Sequence, residues 1–350
     1  MTFISDTDFD TAQAELHAAG VTDGLPVVPP TEARIAAILA YSGFDPAEVI
    51  TALPPGFGEA TWRDIAVNAV MAGCLPEHLA VVGAAVEALA APEFNLIGIA
   101  TTTGSATPIA IVNGPVAARI GMNAGGNALG PGNRANAAIG RAISLCLRNI
   151  GEAKPGEMDM ATLGQPAKYG CCFAENEAES PWAALHVERG FAATDSVVTV
   201  VGISGTVEVV DSMSSTGAGL AQTFAQSMLI AGNRGSHGLF GGGEPLVIVP
   251  PEMARAFAGD GFSKDDVKAA IFDNAVLPLE RLAPTVREHL VSVRKDAGDA
   301  DPTSPLRVAA KAADVMIVVA GGVGVKGVYA PTWSGGTRAV SRKLRGPGKL

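Results

Sequence analysis

The sequence predicts an α/β fold in which a helical N-terminal lead-in precedes two related α/β halves with mixed or parallel sheets. Short apolar runs alternate with longer segments of helical periodicity, which is the pattern of strands covered by helices. The chain has 350 residues, of which 48% are hydrophobic and only 17% are charged, so it can bury the cores of two domains. A strand–proline–helix pattern also occurs twice. We predict one domain over residues 1–190 and a second over 191–350.

The first sixty residues form the predicted lead-in. A helix is expected over residues 8–19, with Ser5 or Thr7 as its N-cap and Gly20 after its end. Residues 23–31 follow as an extended arm, because their prolines exclude helix. We interpret this arm as a structural strap, with a substrate-contacting loop as the alternative. Thr31 then caps a helix over residues 32–41, and a proline- and glycine-rich loop at 54–58 closes the segment.

Regular alternation begins at Trp62. Helical patterns cover residues 62–71, 77–89, 133–148, 216–230 and 263–272, the last capped by Ser263. Apolar runs typical of buried strands cover residues 95–100, 108–112, 197–201, 207–210, 246–249 and 315–319. The charged stretch 288–305 carries two prolines near its end and is the best candidate for a linker.

In the first copy of the repeated pattern, the strand Pro108–Val112 leads into Asn113–Arg119. In the second copy, the strand Pro245–Val249 leads into Pro250–Arg255, which is one residue shorter. If the copies are related halves, their glycine-rich loops meet at a seam, which is where α/β proteins usually bind ligands. The alternative is that strand–proline–helix punctuation recurs by chance in α/β chains.

Charge and cysteine usage exclude several classes of protein. The chain carries 25 Lys and Arg against 35 Asp and Glu, a net charge of −10, which disfavours partners such as nucleic acid or an anionic membrane. No signal peptide and no apolar run of about 20 residues is visible, so we expect a cytoplasmic protein. Four cysteines make no disulfide framework in a chain of this size, and we expect free thiols.

The first candidate binding element is the glycine-rich loop Gly121–Gly132 and the helix that follows it. Small residues let the backbone approach a ligand, and free N–H groups at a helix start favour anions. The donors Asn133, Arg134, Asn136 and Arg141 would bind a carboxylate or phosphate there. The loop has neither a Walker A nor a Rossmann fingerprint, so no cofactor is predicted. The alternative is a loop folded tightly for packing.

The second candidate is a dense polar stretch between residues 169 and 190. It contains Cys172, Glu175, Glu177, His186 and Arg189. A histidine near a thiol can activate it, and an arginine can hold a carboxylate. The Cys and His spacing does not match a zinc site, and no metal is predicted. The alternative is a solvated surface loop.

Three further residues complete the candidate set. Cys74 lies in a turn just before a predicted helix, where the helix dipole favours a thiolate, although a lone cysteine is often a small buried hydrophobe. His237 lies in a polar turn that forms a second wall of the predicted site, and Lys326 follows the last predicted strand as an anion partner.

The runs Gly130–Arg141 and Phe173–Glu177, together with Ser180–Trp182, resemble a large group of uncharacterised bacterial α/β proteins. Some members are grouped with proteins that carry a UGSC-type (Sec/Cys-Gly-Ser-Cys) motif. The resemblance extends over most of the chain and implies an enzyme without implying a reaction. This chain lacks the motif, reading Gly321-Gly322-Val323-Gly324 after the last predicted strand, which removes the direct argument for thiol redox chemistry.

The leading hypothesis is an enzyme of lyase, hydratase or isomerase type that acts on a small carboxylate-bearing organic molecule. Cys74 or Cys172, helped by Glu175, Glu177 or His186, would supply acid–base or nucleophilic chemistry. One alternative is a thiol-dependent oxidoreductase, or its subunit, in which the two cysteines form a redox pair. Another is a non-catalytic binding subunit that docks through the acidic linker after Glu288 and through the basic C-terminal tail, which contains Arg338, Arg342, Lys343, Arg345 and Lys349. The chain is expected to act as a homo-oligomer or with a partner subunit.

Overall fold

The computed structural model describes residues 8–230, 243–333 and 335–346 as a mixed α/β structure, which confirms the predicted fold class. The helices are α1 (Phe9–Ala18), α2 (Glu32–Ser42), α3 (Trp62–Ala72), α4 (Leu79–Leu89), α5 (Leu96–Thr101), α6 (Pro115–Arg119), α7 (Arg134–Asn149), α8 (Leu185–Glu188), α9 (Gly217–Ile230), α10 (Pro251–Gly259), α11 (Lys264–Asn274) and α12 (Pro284–Asp296). The strands are β1 (Val49–Leu53), β2 (Gly58–Thr61), β3 (Thr107–Asn113), β4 (Cys172–Ala174), β5 (Val197–Ile203), β6 (Val207–Val210), β7 (Leu246–Val249), β8 (Val276–Leu277), β9 (Leu306–Arg307), β10 (Met316–Val319), β11 (Lys326–Ala330) and β12 (Val340–Lys343).

The chain divides into two compact units that are discontinuous in sequence. The first unit takes the described residues up to 177, residues 184–202 and the described residues from 339 onward. The second unit takes residues 178–183 and the described residues between 203 and 338. The last strand, β12, therefore belongs to the first unit although it follows the whole second unit in sequence.

The first unit is built on a four-stranded sheet in the order β12-β5-β3-β4. The strands β3 and β4 are parallel, with Ala110 opposite Cys172, and β5 and β12 are antiparallel, with Val200 opposite Val340. Every residue of β3 and β5 is buried. The helices α3, α4 and α7 pack together, and α4 and α7 contact the sheet at β3, β12 and β4. This arrangement holds the ends of β3 and β4 in fixed positions.

The second unit is built on a sheet in the order β10-β7-β11-β6. The strands β10 and β7 are parallel, whereas β11 is antiparallel to both β7 and β6. The helix α9 packs on α10 and α11 and contributes to a core that includes Phe224, Phe257 and Ile271.

The two sheets share the same arrangement of strand directions. Each has a parallel pair at one end (β4/β3 and β10/β7) and an antiparallel pair at the other (β5/β12 and β11/β6). The strands of the predicted repeat, β3 and β7, occupy the same position, and each leads into a helix that begins with proline. The difference is the outer antiparallel strand, which comes before its unit's other strands in the second unit (β6) and after the whole second unit in the first (β12).

The lead-in follows the predicted helices, with one difference in capping. The N-cap of α1 is Asp8, whose Oδ1 accepts a hydrogen bond from the Thr11 N–H at 2.9 Å, and the predicted caps Ser5 and Thr7 lie outside the described residues. Thr31 caps α2 as predicted. The extended arm is held by Gln13, whose side chain donates to the Val27 carbonyl at 2.7 Å and accepts from the Val27 N–H at 2.9 Å.

Two sequence predictions are wrong. Residues 95–100 form no strand, because Asn95 adopts a left-handed conformation (φ 52°) and its side chain accepts a hydrogen bond from the Gly98 N–H, which starts the helix α5. The first half of the predicted linker 288–305 is helical, since α12 begins at Pro284, an N1 proline, and continues to Asp296. Both errors concern segments whose composition suits more than one structure.

Candidate functional site

A polar cluster lies where the parallel strands β3 and β4 end. Asn113 is the last residue of β3, and Glu175 directly follows β4, its N–H donating to the Val112 carbonyl at 3.2 Å. In open α/β sheets, ligands bind outside the carboxyl ends of parallel strands. The topology therefore places this cluster at the edge where a site is expected.

Fixed donors hold the two carboxylates of the cluster. The Asn113 Nδ2 group donates to Glu175 Oε2 at 2.6 Å and to Glu177 Oε1 at 3.0 Å. The Gly114 N–H also donates to Glu177 Oε1 at 2.6 Å, and the Leu185 N–H donates to Glu175 Oε2 at 2.7 Å. The donors in these four contacts are one side-chain amide and two backbone amides, and none of them is a basic side chain.

His186, in the short helix α8, is the third titratable group at this place. Its side chain is fully buried, and its Nδ1 lies 3.9 Å from Glu177 Oε1. Neither ring nitrogen has a hydrogen-bond partner within the described part of the chain. Glu177 is the member that reaches solvent, with 32% of its side chain exposed. We call Asn113, Glu175, Glu177 and His186 the carboxylate–imidazole cluster.

The position of Gly114 depends on its having no side chain. Its φ is 81°, and a Cβ there would lie 2.0 Å from the Asp195 carbonyl oxygen. This close approach puts the start of β5 beside the end of β3, as in an antiparallel pair. Asp195 binds Lys343 of β12 at 2.5 Å, and the hydrogen bond from Lys343 holds the pKa of the Asp195 carboxyl below its ordinary value. The end of β3 is therefore fixed by β5 and by the C-terminal strand.

The thiols lie in the interior of the first unit and not in solvent. Cys172 in β4 and Cys74 after α3 are both buried, and burial raises the pKa of each thiol well above its ordinary value. Burial also raises the pKa of Cys171 to about 11. These side chains are neutral S–H groups near pH 7, and a neutral thiol is a poor nucleophile. The predicted helix-dipole effect on Cys74 is outweighed by desolvation.

The predicted donors at the glycine-rich loop hold that loop in place. Asn133 caps α7 and donates to the Gly121 carbonyl at 2.8 Å. Asn136 donates to the carbonyls of Asn123 and Ala128. Arg134 donates from Nε to the Gly73 carbonyl at 3.0 Å, which joins the start of α7 to the turn that carries Cys74. Their role in anion binding stays a prediction.

Arg141 has a protein carboxylate as its partner. Its Nε and Nη2 bind the two oxygens of Asp23 at 2.8 Å each, and Nη2 also donates to the Pro26 carbonyl at 2.9 Å. The guanidinium group that was predicted to bind a substrate carboxylate thus binds the extended arm, which supports the interpretation of the arm as a structural strap. A role for Arg141 in substrate binding stays a prediction that would require this pair to open.

The other predicted residues are dispersed. Arg189 is the C-cap of α8, three residues after His186, and donates from Nη2 to the Ala339 carbonyl at 2.5 Å. Lys326 starts β11 in the second unit and is exposed. His237 lies outside the described residues.

Lys343 and Arg345, two residues of the basic C-terminal tail, are paired inside the first unit. Arg345 binds Glu48 at 2.9 Å and Glu87 at 3.2 Å, and Lys343 binds Asp195. These ion pairs tie β12 to its own unit, which leaves less of the tail's charge for a docking partner.

Sequence reasoning missed Asn113 and Gly114. The available signal was an Asn-Gly pair directly after a run of buried strand residues, where a polar side chain at the sheet edge is the usual ligand-facing position. Only the structure shows that Asn113 reaches Glu175 and Glu177, more than sixty positions along the chain.

No group of three His, Cys, Asp or Glu side chains among the described residues is arranged to hold a metal ion. None of the helices in the described ranges has the length and apolar character needed to cross a bilayer. No protein-family model, no curated protein and no solved structure matches the chain.

Proposed function

We propose that the carboxylate–imidazole cluster catalyses proton transfer on a small carboxylate-bearing organic molecule, in a reaction of lyase, hydratase or isomerase type. The observation that carries the proposal is the environment of Glu177. Its carboxylate reaches solvent, two fixed donors hold its Oε1, and a buried imidazole lies behind it at 3.9 Å. A carboxylate oriented in this way is suited to act as a general base.

Glu177 would contact the substrate. Its Oε1 accepts hydrogen bonds from Asn113 and Gly114, so Oε2 would be the oxygen that takes the proton. It would take a proton from the carbon next to a carbonyl, and the electron pair of that C–H bond would move into the carbonyl group. The proton would then return to another carbon in an isomerase, or to the departing group in a lyase.

Glu175, Asn113 and His186 would act as positioning residues. Asn113 holds both carboxylates with one amide, and Glu175 fixes the turn before α8 by accepting from the Leu185 N–H. This contact places His186 beside Glu177. Arg189, the residue that directly follows this short helix, is the predicted cation nearest in sequence for a substrate carboxylate.

The buried thiols are left out of this mechanism. Burial raises the pKa values of Cys74 and Cys172, so neither supplies a thiolate near neutral pH. The carboxylates and the imidazole carry the proton chemistry instead.

The test is exchange of α-protons for deuterium, followed by NMR in D₂O with a panel of 2-oxo, 3-hydroxy and 2-enoyl carboxylates. Wild-type protein is expected to exchange at least one member of the panel. Glu177→Gln keeps the shape of the side chain and removes the base, so exchange should fall by about 10²–10⁴-fold. Glu93→Gln, at an exposed position of the same unit, is the matched control and should exchange at the wild-type rate.

Equal exchange by the Glu177→Gln and Glu93→Gln variants would remove Glu177 from the mechanism. Absence of exchange across the whole panel, with correctly folded wild-type protein, would overturn the proposed substrate class.

A further inference from the structure

A cleft of about 620 Å³ lies in the first unit, between α7 and the segment that leads into β4. Its walls include Ser144 and Arg148 of α7 on one side and Leu163, Lys168 and Tyr169 on the other. A volume of this size is typical of small-molecule sites. Ser144 and Arg148 are four residues apart on α7 and therefore lie on one face of the helix.

Arg148 gives the cleft an uncompensated positive charge. The acidic groups of the lining are already neutralised, since Asp159 binds Lys168 at 2.7 Å and Asp23 binds Arg141 in a two-pronged pair. Arg148 donates from Nε and Nη2 only to the neutral carbonyl of Gly20, at 3.2 and 3.1 Å. Within the part of the chain that the structure describes, no carboxylate lies at ion-pair distance from its guanidinium. The remaining N–H groups of Arg148 are matched by a planar anion such as a carboxylate.

A smaller recess of about 60 Å³, with mostly apolar walls, adjoins the cleft. Its walls include Leu96, Ile99 and Leu147, and it shares Ser144, Ala153 and the Asp159–Lys168 ion pair with the cleft, so the two spaces are adjacent. One water needs about 10–15 Å³ by the same measure, so the recess has room for a few non-hydrogen atoms. Apolar walls favour a hydrocarbon chain there.

We propose that this cleft binds a short aliphatic carboxylate, whose carboxylate lies against the Arg148 guanidinium and whose alkyl chain enters the recess walled by Leu96, Ile99 and Leu147. Tyr169, a half-exposed residue of the lining, adds an aromatic wall to the cleft.

This binding site is separate from the carboxylate–imidazole cluster and does not depend on the proposed reaction. Thr107 and Pro108, at the start of β3, line the recess, whereas Asn113 ends the same strand. Six residue steps of about 3.3 Å put the two places about 20 Å apart along the strand. One molecule of this size cannot fill both.

The test is isothermal titration of the full chain with hexanoate, acetate and hexan-1-ol. Hexanoate should bind saturably, with a Kd in the millimolar range or tighter, and both other probes should bind at least about tenfold more weakly because each lacks one of the two recognised groups. Arg148→Gln should weaken hexanoate binding by about tenfold or more, while Arg119→Gln, an exposed arginine of the same unit, should not change it.

A second variant tests the recess without touching the charge. Ala153→Leu at the shared wall should weaken hexanoate binding by about tenfold and leave the weak binding of acetate unchanged, because only the longer chain needs the space. The proposal is overturned if hexanoate does not bind, if hexan-1-ol binds as tightly as hexanoate, or if Arg148→Gln and Arg119→Gln bind alike. Should Arg148→Gln not fold, the comparison of the three probes and Ala153→Leu decide the question.

Discussion

Arg141 illustrates how the structure changes the expected effect of a mutation. Truncation of Arg141 to alanine removes a two-pronged ion pair with Asp23 and a hydrogen bond to the Pro26 carbonyl. The side chains of Arg141 and Asp23 are only 18% and 13% exposed, so the pair lies between a surface pair, worth about 0–1 kcal/mol, and a buried pair, which costs about 3–5 kcal/mol to break. We expect Arg141→Ala to lower the free energy of unfolding by about 2–3 kcal/mol.

The assay is urea denaturation of a double-mutant cycle made of Arg141→Ala, Asp23→Ala and the double variant. Residues in direct contact should show a coupling energy of about 1–2 kcal/mol. Arg119→Ala, at an exposed site, is the control and should change stability by less than about 0.5 kcal/mol. Coupling below about 0.3 kcal/mol would refute the reasoning, as would an Arg141→Ala variant as stable as the control.

The same pair predicts a pH dependence. Burial works to raise the pKa of Asp23, but the hydrogen bonds and charge of Arg141 outweigh it and hold that pKa below its ordinary value. A carboxyl whose pKa is lowered by folding adds stability above its unfolded pKa of about 4, and this contribution is lost as the pH falls through the folded pKa. The stability difference between wild type and Asp23→Ala should therefore be full at pH 6 and shrink below about pH 4.

Two further predictions concern the C-terminal strand and the thiols. Deletion of the chain from Ala339 onward removes β12, which pairs with β5 over four residues, and should destabilise the first unit by about 4 kcal/mol. Limited proteolysis should then be faster than for a control that lacks only the last four residues. Equal rates of proteolysis for the two deletions would contradict this prediction. In the native protein at pH 8, Cys74 and Cys172 should react with a thiol reagent at least about 100-fold more slowly than in denaturant, and Cys171 should react fastest of the three. Rapid reaction of Cys74 or Cys172 would contradict this prediction and would make that cysteine a candidate nucleophile again.

Local signals in the sequence predicted much of the fold. Thr31 and Ser263 cap their helices as expected, because the side-chain oxygen and the N–H that it binds are only three residues apart. Residues 246–249 form a strand with the predicted bounds, since a short apolar run between prolines has few other structures available. Residues 95–100 are also a short apolar run, which suits either a strand or a buried helix. The side chain of Asn95 caps the start of α5, and the segment is helical.

The candidate site was less accessible from the sequence. The polar stretch 169–190 contains Glu177 and His186, which lie 3.9 Å apart and are only nine residues apart in the chain. The partners that decide what each group can do are distant: Asn113 for the carboxylates, and Asp23, 118 positions away, for Arg141. Neither spacing nor periodicity encodes such contacts.

The return of β12 to the first unit has a consequence during synthesis. When β5 leaves the ribosome, about 140 residues must still be translated before its outer neighbour exists, which takes about 7–30 s at 5–20 residues per second. The second unit has all of its strands by then and can fold first. A nascent chain therefore carries an apolar β5 with one edge unpaired for that interval, and its yield in cells should depend on chaperones that shield this edge until translation ends.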